Sequence, residues 1–302
     1  MRPTIAISVL CVFAVAGCGG GEQRDAAKPG TPASAELRRA LDEATRSDAS
    51  DFPAVAGRSL QQVADGIGAT GPQVGLATSV FTAGATNRLA FGVIDPKTGF
   101  VYGKTAVYVA PSPGAQAQGP FPAPADLLLT DGRYRSRTAA SEEDPFSAIY
   151  STSLKLAQPG NYSVLVTTKV RDQLVAAPTQ IKVLGKKDVP IPERGEPAPR
   201  AATETVGSAK GDIASIDTRV PPDDMHKTSL RDVLGKKPVA LIFATPQLCH
   251  SRVCGPVVDI AQQLKSKYGD QMEFIHQEVY VDNDVKQGIR KPLRQFGLRT
   301  EP

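Results

Sequence analysis

Between residues 73 and 183, apolar and polar side chains alternate with a period of two, the repeat of a strand with one face in a core. Six segments carry it: 74–80, 88–94, 104–109, 151–156, 161–170 and 179–184. The clearest sets Tyr162, Val164, Val166 and Val170 on one face and Ser163, Thr167 and Lys169 on the other, which predicts a half-buried antiparallel strand. Turn-forming runs separate the segments, among them Asp95-Pro96-Lys97-Thr98-Gly99 and Gln158-Pro159-Gly160-Asn161. The pattern predicts an all-β sandwich over 71–185. That stretch holds no His and no Cys, and its acids are scattered, so it reads as a binding or spacing module.

The flanks follow other patterns. Arg2 and the apolar run 5–16 form an export signal over 1–17, too short to span a bilayer as a permanent helix. Residues 18–70 read as a Gly/Pro/Ala-rich tether with one short amphipathic helix over 35–45, its apolar side at Leu37, Leu41 and Ala44. Residues 186–211, with Pro190, Pro192, Pro197 and Pro199 among charges, read as a stiff linker. From 212 onward strand and helix alternate, which predicts an α/β domain. Its continuous apolar run 239–244 predicts a buried central strand. Gly255-Pro256 then opens a helix with Val257, Ala261, Leu264 and Tyr268 on its buried face. The segment 272–281 is the next strand, followed by a helix up to Phe296 and Gly297.

A length of 302 residues exceeds what one core usually organises and agrees with two domains. The net charge of +4 is too small and too evenly spread for a nucleic-acid footprint, so no nucleic acid partner is expected. The cysteine count is more informative. Of four cysteines, Cys11 lies in the export signal and Cys18 at its end, which leaves Cys249 and Cys254 as the pair available to the folded, exported chain.

Three stretches resemble known families. Val15-Ala16-Gly17-Cys18 resembles the lipobox of bacterial lipoproteins, which implies that Cys18 is lipidated and holds the mature chain on a membrane of the cell envelope, outside the cytoplasm. Pro159-Gly160-Asn161-Tyr162 and the strand after it resemble immunoglobulin-like domains, whose tyrosine returns a hydrogen bond across a corner. Residues 212–302 resemble the thioredoxin superfamily. The likeness rests on the lead-in 228–239, on the cysteines between the apolar strand and the next helix, and on 296–302, which resembles the approach to that family's cis-proline.

The thioredoxin resemblance implies thiol-disulfide exchange with partner proteins at Cys249 and Cys254, beside Pro302, with no cofactor. Two departures stand out. The pair is C-x4-C rather than C-x-x-C, and the chain stops at Pro302, where the family continues with further strands and a helix. The domain therefore reads as incomplete, with 239–281 loosely held.

Within the pair, a helix N-terminus stabilises a thiolate, and this points to Cys254, directly before Gly255 and Pro256, as the low-pKa thiol. Arg252 and His250 lie close enough to support it. The order of cysteines in the family points instead to Cys249. A static disulfide is the plain alternative, although closing so short a loop gives only about 2 kcal/mol. The pair also resembles the Sco copper chaperones, with His250, His276 or His226 completing a site. Otherwise each histidine is a surface or strand residue, and no metal set is assigned. A peroxidase reading takes Cys254 with Ser251 and Pro246, and a scaffold reading makes the sandwich the working part.

Overall fold

In a computed structural model, residues 34–69, 71–137, 147–249 and 253–301 are described. The Ser34 hydroxyl accepts the Leu37 N–H and starts helix α1 (Ala35–Ala44), which turns Leu37, Leu41 and Ala44 inward as their spacing predicts. A capping box of Ser59 and Gln62 starts α2 (Leu60–Ile67), and Gly68 ends it in the left-handed conformation.

The strands that follow are β1 (Gln73–Leu76), β2 (Phe81–Thr82), β3 (Thr86–Asp95), β4 (Gly99–Phe100) and β5 (Thr105–Ala110), then β6 (Gln118–Pro122), β7 (Ala125–Leu127), β8 (Ala148–Lys155), β9 (Gly160–Val170) and β10 (Gln173–Leu184). They build two five-stranded sheets, β1-β3-β8-β7 with β4 beside β3, and β2-β10-β9-β5-β6. Leu89, Phe91, Tyr150, Leu154, Val164 and Val166 fill the space between them, with Phe91 stacked on Tyr150 at 5.6 Å. The sandwich expected from the alternation is present. The Tyr162 hydroxyl donates to the Gln158 carbonyl at 3.1 Å, the corner bond that the sequence suggests.

Three readings change. The chain forms more strands than six, because β2, β4, β6 and β7 are too short or too rich in Gly and Pro to show alternation. Strand β10 starts at Gln173 rather than 179; its small Ala176 and Ala177, then Pro178, hide the period. And β9 is buried on both faces from Tyr162 to Thr168, not on one. Its second face packs under Phe52, Leu60 and Val63, so 49–69 is a lid of the sandwich and not a tether.

The rest of the chain is a smaller α/β unit. Helix α3 (Leu230–Val233) precedes β11 (Val239–Ala244), α4 (Cys254–Tyr268), β12 (Glu273–Glu278) and α5 (Lys291–Gln295). Strands β11 and β12 are parallel, with Val239 opposite Glu273 and Ala244 opposite Glu278, and α4 connects them. Among the described residues β11 pairs with β12 alone, and five of its six side chains are half-buried, where the sequence suggested a central, covered strand.

Helix α4 also turns differently from its expected face. Val258, Asp259 and Ala261 point inward while Val257 and Leu264 are exposed. The cause is Asp259, whose carboxylate takes the Ser136 N–H at 2.9 Å and the Arg219 Nε–H at 3.0 Å. Arg219 reaches on to the Tyr134 carbonyl at 2.6 Å, and Arg137 N–H donates to the Val220 carbonyl at 2.7 Å, so the 131–137 loop of the sandwich is bonded to the α/β unit.

The expected linker is part of the same unit. Ala201 is buried against Leu230 and Ile275, Thr203 accepts the Leu230 N–H, and Glu204 pairs with Arg290. The prolines of 190–199 stiffen the segment, but the residues after them carry the groups that dock it. Among the described residues no helix is long and apolar enough to cross a membrane.

Candidate functional site

Strand β11 ends at Ala244, and the loop after it carries Cys249 before α4 begins at Cys254. Both cysteines are thiols. Because Cys254 is the first residue of α4, its own N–H is one of the helix's unpaired donors, and it donates to Cys249 Sγ at 3.3 Å. The Cys254 thiol in turn donates to Glu301 Oε1 at 3.6 Å, and Glu301 Oε2 accepts the Tyr280 hydroxyl at 3.4 Å. The sulfurs and the Glu301 carboxylate lie within 4.8 Å of one another.

This geometry reverses one expectation. The hydrogen bond to Cys249, burial and the nearby Glu301 charge push the Cys254 thiol well up from its ordinary 9.0, against a single opposing backbone bond from Thr245. The helix end does act on a sulfur, but its N–H is aimed at Cys249, while the Cys254 sulfur faces a carboxylate. Pro256 sits buried in the first turn of α4, as read from the sequence. Cys18, His250, Ser251, Arg252 and Pro302 lie outside the described residues.

Glu301 and Tyr280 are the members of the site that the sequence did not single out. The one signal was position, since Glu301 stands directly before Pro302. Burial and the Glu301 charge raise the Tyr280 hydroxyl above its ordinary 10.0, so it stays a donor to that carboxylate.

A second buried constellation lies under the same strand pair. Asp217, Asp223, His226 and His276 offer ligand atoms within 4.8 Å of one another, and all four are buried. His276 stands on β12, where its Nδ1 is 2.7 Å from Asp223 Oδ2 and its Nε2 is 3.1 Å from the Ala244 carbonyl. Burial works against a charge on His276, but the Asp223 bond and the charges of Asp223, Asp217 and Glu278 raise its pKa to about 9. His226 is only 1% exposed, in an irregular segment and not on the surface, and neither of its ring nitrogens makes a hydrogen bond. Among the described residues the ligand group of the two thiols holds Glu301 and neither His226 nor His276; His250, the other histidine of the copper reading, lies outside them.

No protein-family model and no curated protein matches the chain. Among solved structures it is similar to an endo-β-1,4-mannanase from Thermotoga petrophila (12% identity, 38% of this chain and 20% of that one, TM-score 0.21). The chain thus spans about a fifth of that enzyme. It is also similar to the PKD domain of the human VPS10 domain-containing receptor SorCS2 (16% identity, 39% and 76%, TM-score 0.19). A third likeness is to the M1 domain of titin (11% identity, 38% and 94%, TM-score 0.18).

Proposed function

We propose that the protein is a membrane-anchored, extracytoplasmic thiol-disulfide oxidoreductase acting through Cys249 and Cys254. The observation that carries this reading is the aim of the Cys254 N–H at Cys249 Sγ across the start of α4, with Glu301 against the second thiol. The finer fold reading goes with it: an immunoglobulin-like sandwich, supported by the Tyr162 corner bond, and a thioredoxin-like α/β unit, supported by parallel β11 and β12 joined through a helix that begins at a thiol.

In this mechanism the Cys249 thiolate attacks one sulfur of a partner disulfide, forming a mixed disulfide and releasing the partner's other sulfur as thiolate. The Cys254 thiol then passes its proton to Glu301 and attacks the Cys249 sulfur. This closes the Cys249–Cys254 disulfide and frees the second partner thiolate. The partner gains two electrons and the pair loses two; running the same steps backward oxidises a dithiol partner. The chemistry needs no cofactor.

The pair's reduction potential, read together with exchange toward a model disulfide, tests the reading. We expect a two-electron couple above about −300 mV and exchange lost in Cys249→Ser. A potential far below that value with no exchange marks a static staple instead. At neutral pH, alkylation is expected at Cys249 before Cys254, and Glu301→Gln is expected to accumulate the mixed disulfide. Anchoring is tested separately by fatty-acid incorporation, which Cys18→Ser should abolish.

A further inference from the structure

We propose that Asp217, Asp223, His226 and His276 form a structural binding site for one divalent first-row metal ion, Zn2+ foremost, distinct from the thiol pair. Backbone donors fix both carboxylates in place: Asp217 Oδ1 and Oδ2 accept the Arg219 and Asp223 N–H groups at 2.8 and 2.7 Å, and Asp223 Oδ1 accepts the Met225 N–H at 2.7 Å. Among the described residues their ion-pair partners are the two histidines alone, because the buried Arg219 side chain is committed to Asp259. Two buried carboxylates without a lysine or arginine call for a cation between them.

The histidines are oriented to admit one. His276 Nε2 meets the Ala244 carbonyl, which can only accept, so a proton is fixed on that side, and Nδ1 faces Asp223 Oδ2 at 2.7 Å, where it holds either a second proton or a metal ion. In the absence of an ion the ring proton fills that 2.7 Å gap, and a metal ion at the same place would replace it. A backbone carbonyl that fixes the remote nitrogen is also the usual outer partner of a metal-bound imidazole. His226 gives the independent sign. Its side chain is buried, makes no hydrogen bond, and holds Nε2 3.4 Å from Asp217 Oδ2 and 3.6 Å from Asp223 Oδ1. A buried imidazole without a partner carries a desolvation cost that a bound ion removes.

The spacing fits. Ligand atoms at about 2.0 Å from a tetrahedral ion stand about 3.3 Å apart. His226 Nε2 stands 3.4 Å from Asp217 Oδ2 and 3.6 Å from Asp223 Oδ1, and His276 Nδ1 stands 3.9 Å from Asp217 Oδ1 and 2.7 Å from Asp223 Oδ2, so a small turn of each carboxylate brings one oxygen to both rings, and the 2.7 Å contact has to open. Two imidazole nitrogens and two carboxylate oxygens suit a borderline divalent ion and disfavour Cu(I), which selects soft sulfur. Four protein ligands in a closed, buried set leave no position for substrate, so the role is structural: the ion clamps the irregular segment 216–229 onto β12.

The test uses the full chain with all four cysteines replaced (Cys11→Ser, Cys18→Ser, Cys249→Ser and Cys254→Ser), stripped of metal and titrated with Zn2+ against a chromophoric chelator. We expect one equivalent bound, a rise in melting temperature on binding, and a Co2+ derivative lacking the thiolate charge-transfer band. Stoichiometric binding should be lost in His226→Gln and in Asp217→Asn, each checked for folding by far-ultraviolet circular dichroism. If the thiol-free chain takes up no zinc, or if both folded variants still bind it, the proposal is overturned. Zinc bound only when the cysteines are present would assign it to the thiols and Glu301, and would leave a proton on His276 as the occupant of the buried cluster.

Discussion

The two halves of the molecule bury different material. Between the sheets of the sandwich the interior is aliphatic and aromatic, with Leu89, Phe91, Tyr150, Leu154 and Val166 at its centre. In the α/β unit fully buried side chains include His226, His276, Gln277 and Glu278, and four of the six residues of β12 are polar. The reason lies in the backbone around each. Nearly every segment of the sandwich has a strand partner, whereas 201–229 and 280–290 have little regular structure and must satisfy their amides through side chains. Gln277 Oε1 accepts the Glu204 backbone N–H at 3.0 Å, and Arg290 donates to the Tyr280 and Ser215 carbonyls at 2.7 Å. One half is thus held by area, which tolerates changes in solution conditions, and the other by charge and direction, which do not.

Each half can be weakened by a substitution that leaves the other intact. The largest effect is expected at Phe91: Phe91→Ala empties the space beside Tyr150 and should cost about 3–5 kcal/mol in denaturant unfolding, while the thiol exchange of the molecules that remain folded is unchanged. A loss below about 1 kcal/mol would mean that the sandwich is not held by that packing. Next comes Arg219→Ala, which strands the buried Asp259 charge and frees the Tyr134 carbonyl; about 3 kcal/mol is expected. Adding Asp259→Asn should recover part of that loss, and a double variant no better than the single would show that Asp259 is not the stranded group.

The smallest effect belongs to Asp51, whose carboxylate meets Lys104 Nζ at 2.6 Å beneath the 49–69 lid. The Lys104 hydrogen bond holds the Asp51 carboxyl below its ordinary 3.8. A depressed folded-state value contributes stability above 3.8 that disappears as pH falls through the folded value. Asp51→Asn should therefore be less stable than the parent at neutral pH by under about 1 kcal/mol, with the gap closing in acid. A gap that persists in acid would rule out the charge as its source.

The same contrast explains what could be read from the sequence. Long strands with apolar positions every second residue, such as β3 and β9, are written locally, and so is α1 with its Ser34 cap. The lid over β9 is not, because whether Leu165 faces water depends on Leu60 and Val63 a hundred residues earlier. Burial of polar groups is harder still. Asp217, His226 and Gln277 belong to residue types that are usually exposed, and only their mutual pairing keeps them inside. The thiol pair was visible by elimination among four cysteines, but the direction of its hydrogen bond was not, since that depends on where Glu301 returns in space. Gly297 shows how closely that return is set: a Cβ there would lie 1.6 Å from the Pro190 carbonyl, so the chain leading to Glu301 passes against the supposed linker with no room for a side chain.

The contact of Asp259 with Arg219 and Ser136 also fixes how disulfide closure must be absorbed. Asp259 lies about 7.5 Å along the helix axis from Cys254, at five residues of 1.5 Å rise. A rod with its fulcrum so near one end has almost no lever arm there, so the Cys254 end of α4 can swing very little. If the sulfurs join as proposed, the travel falls to the Cys249 side, and hydrogen exchange on oxidation should change at 245–249 and stay constant along α4.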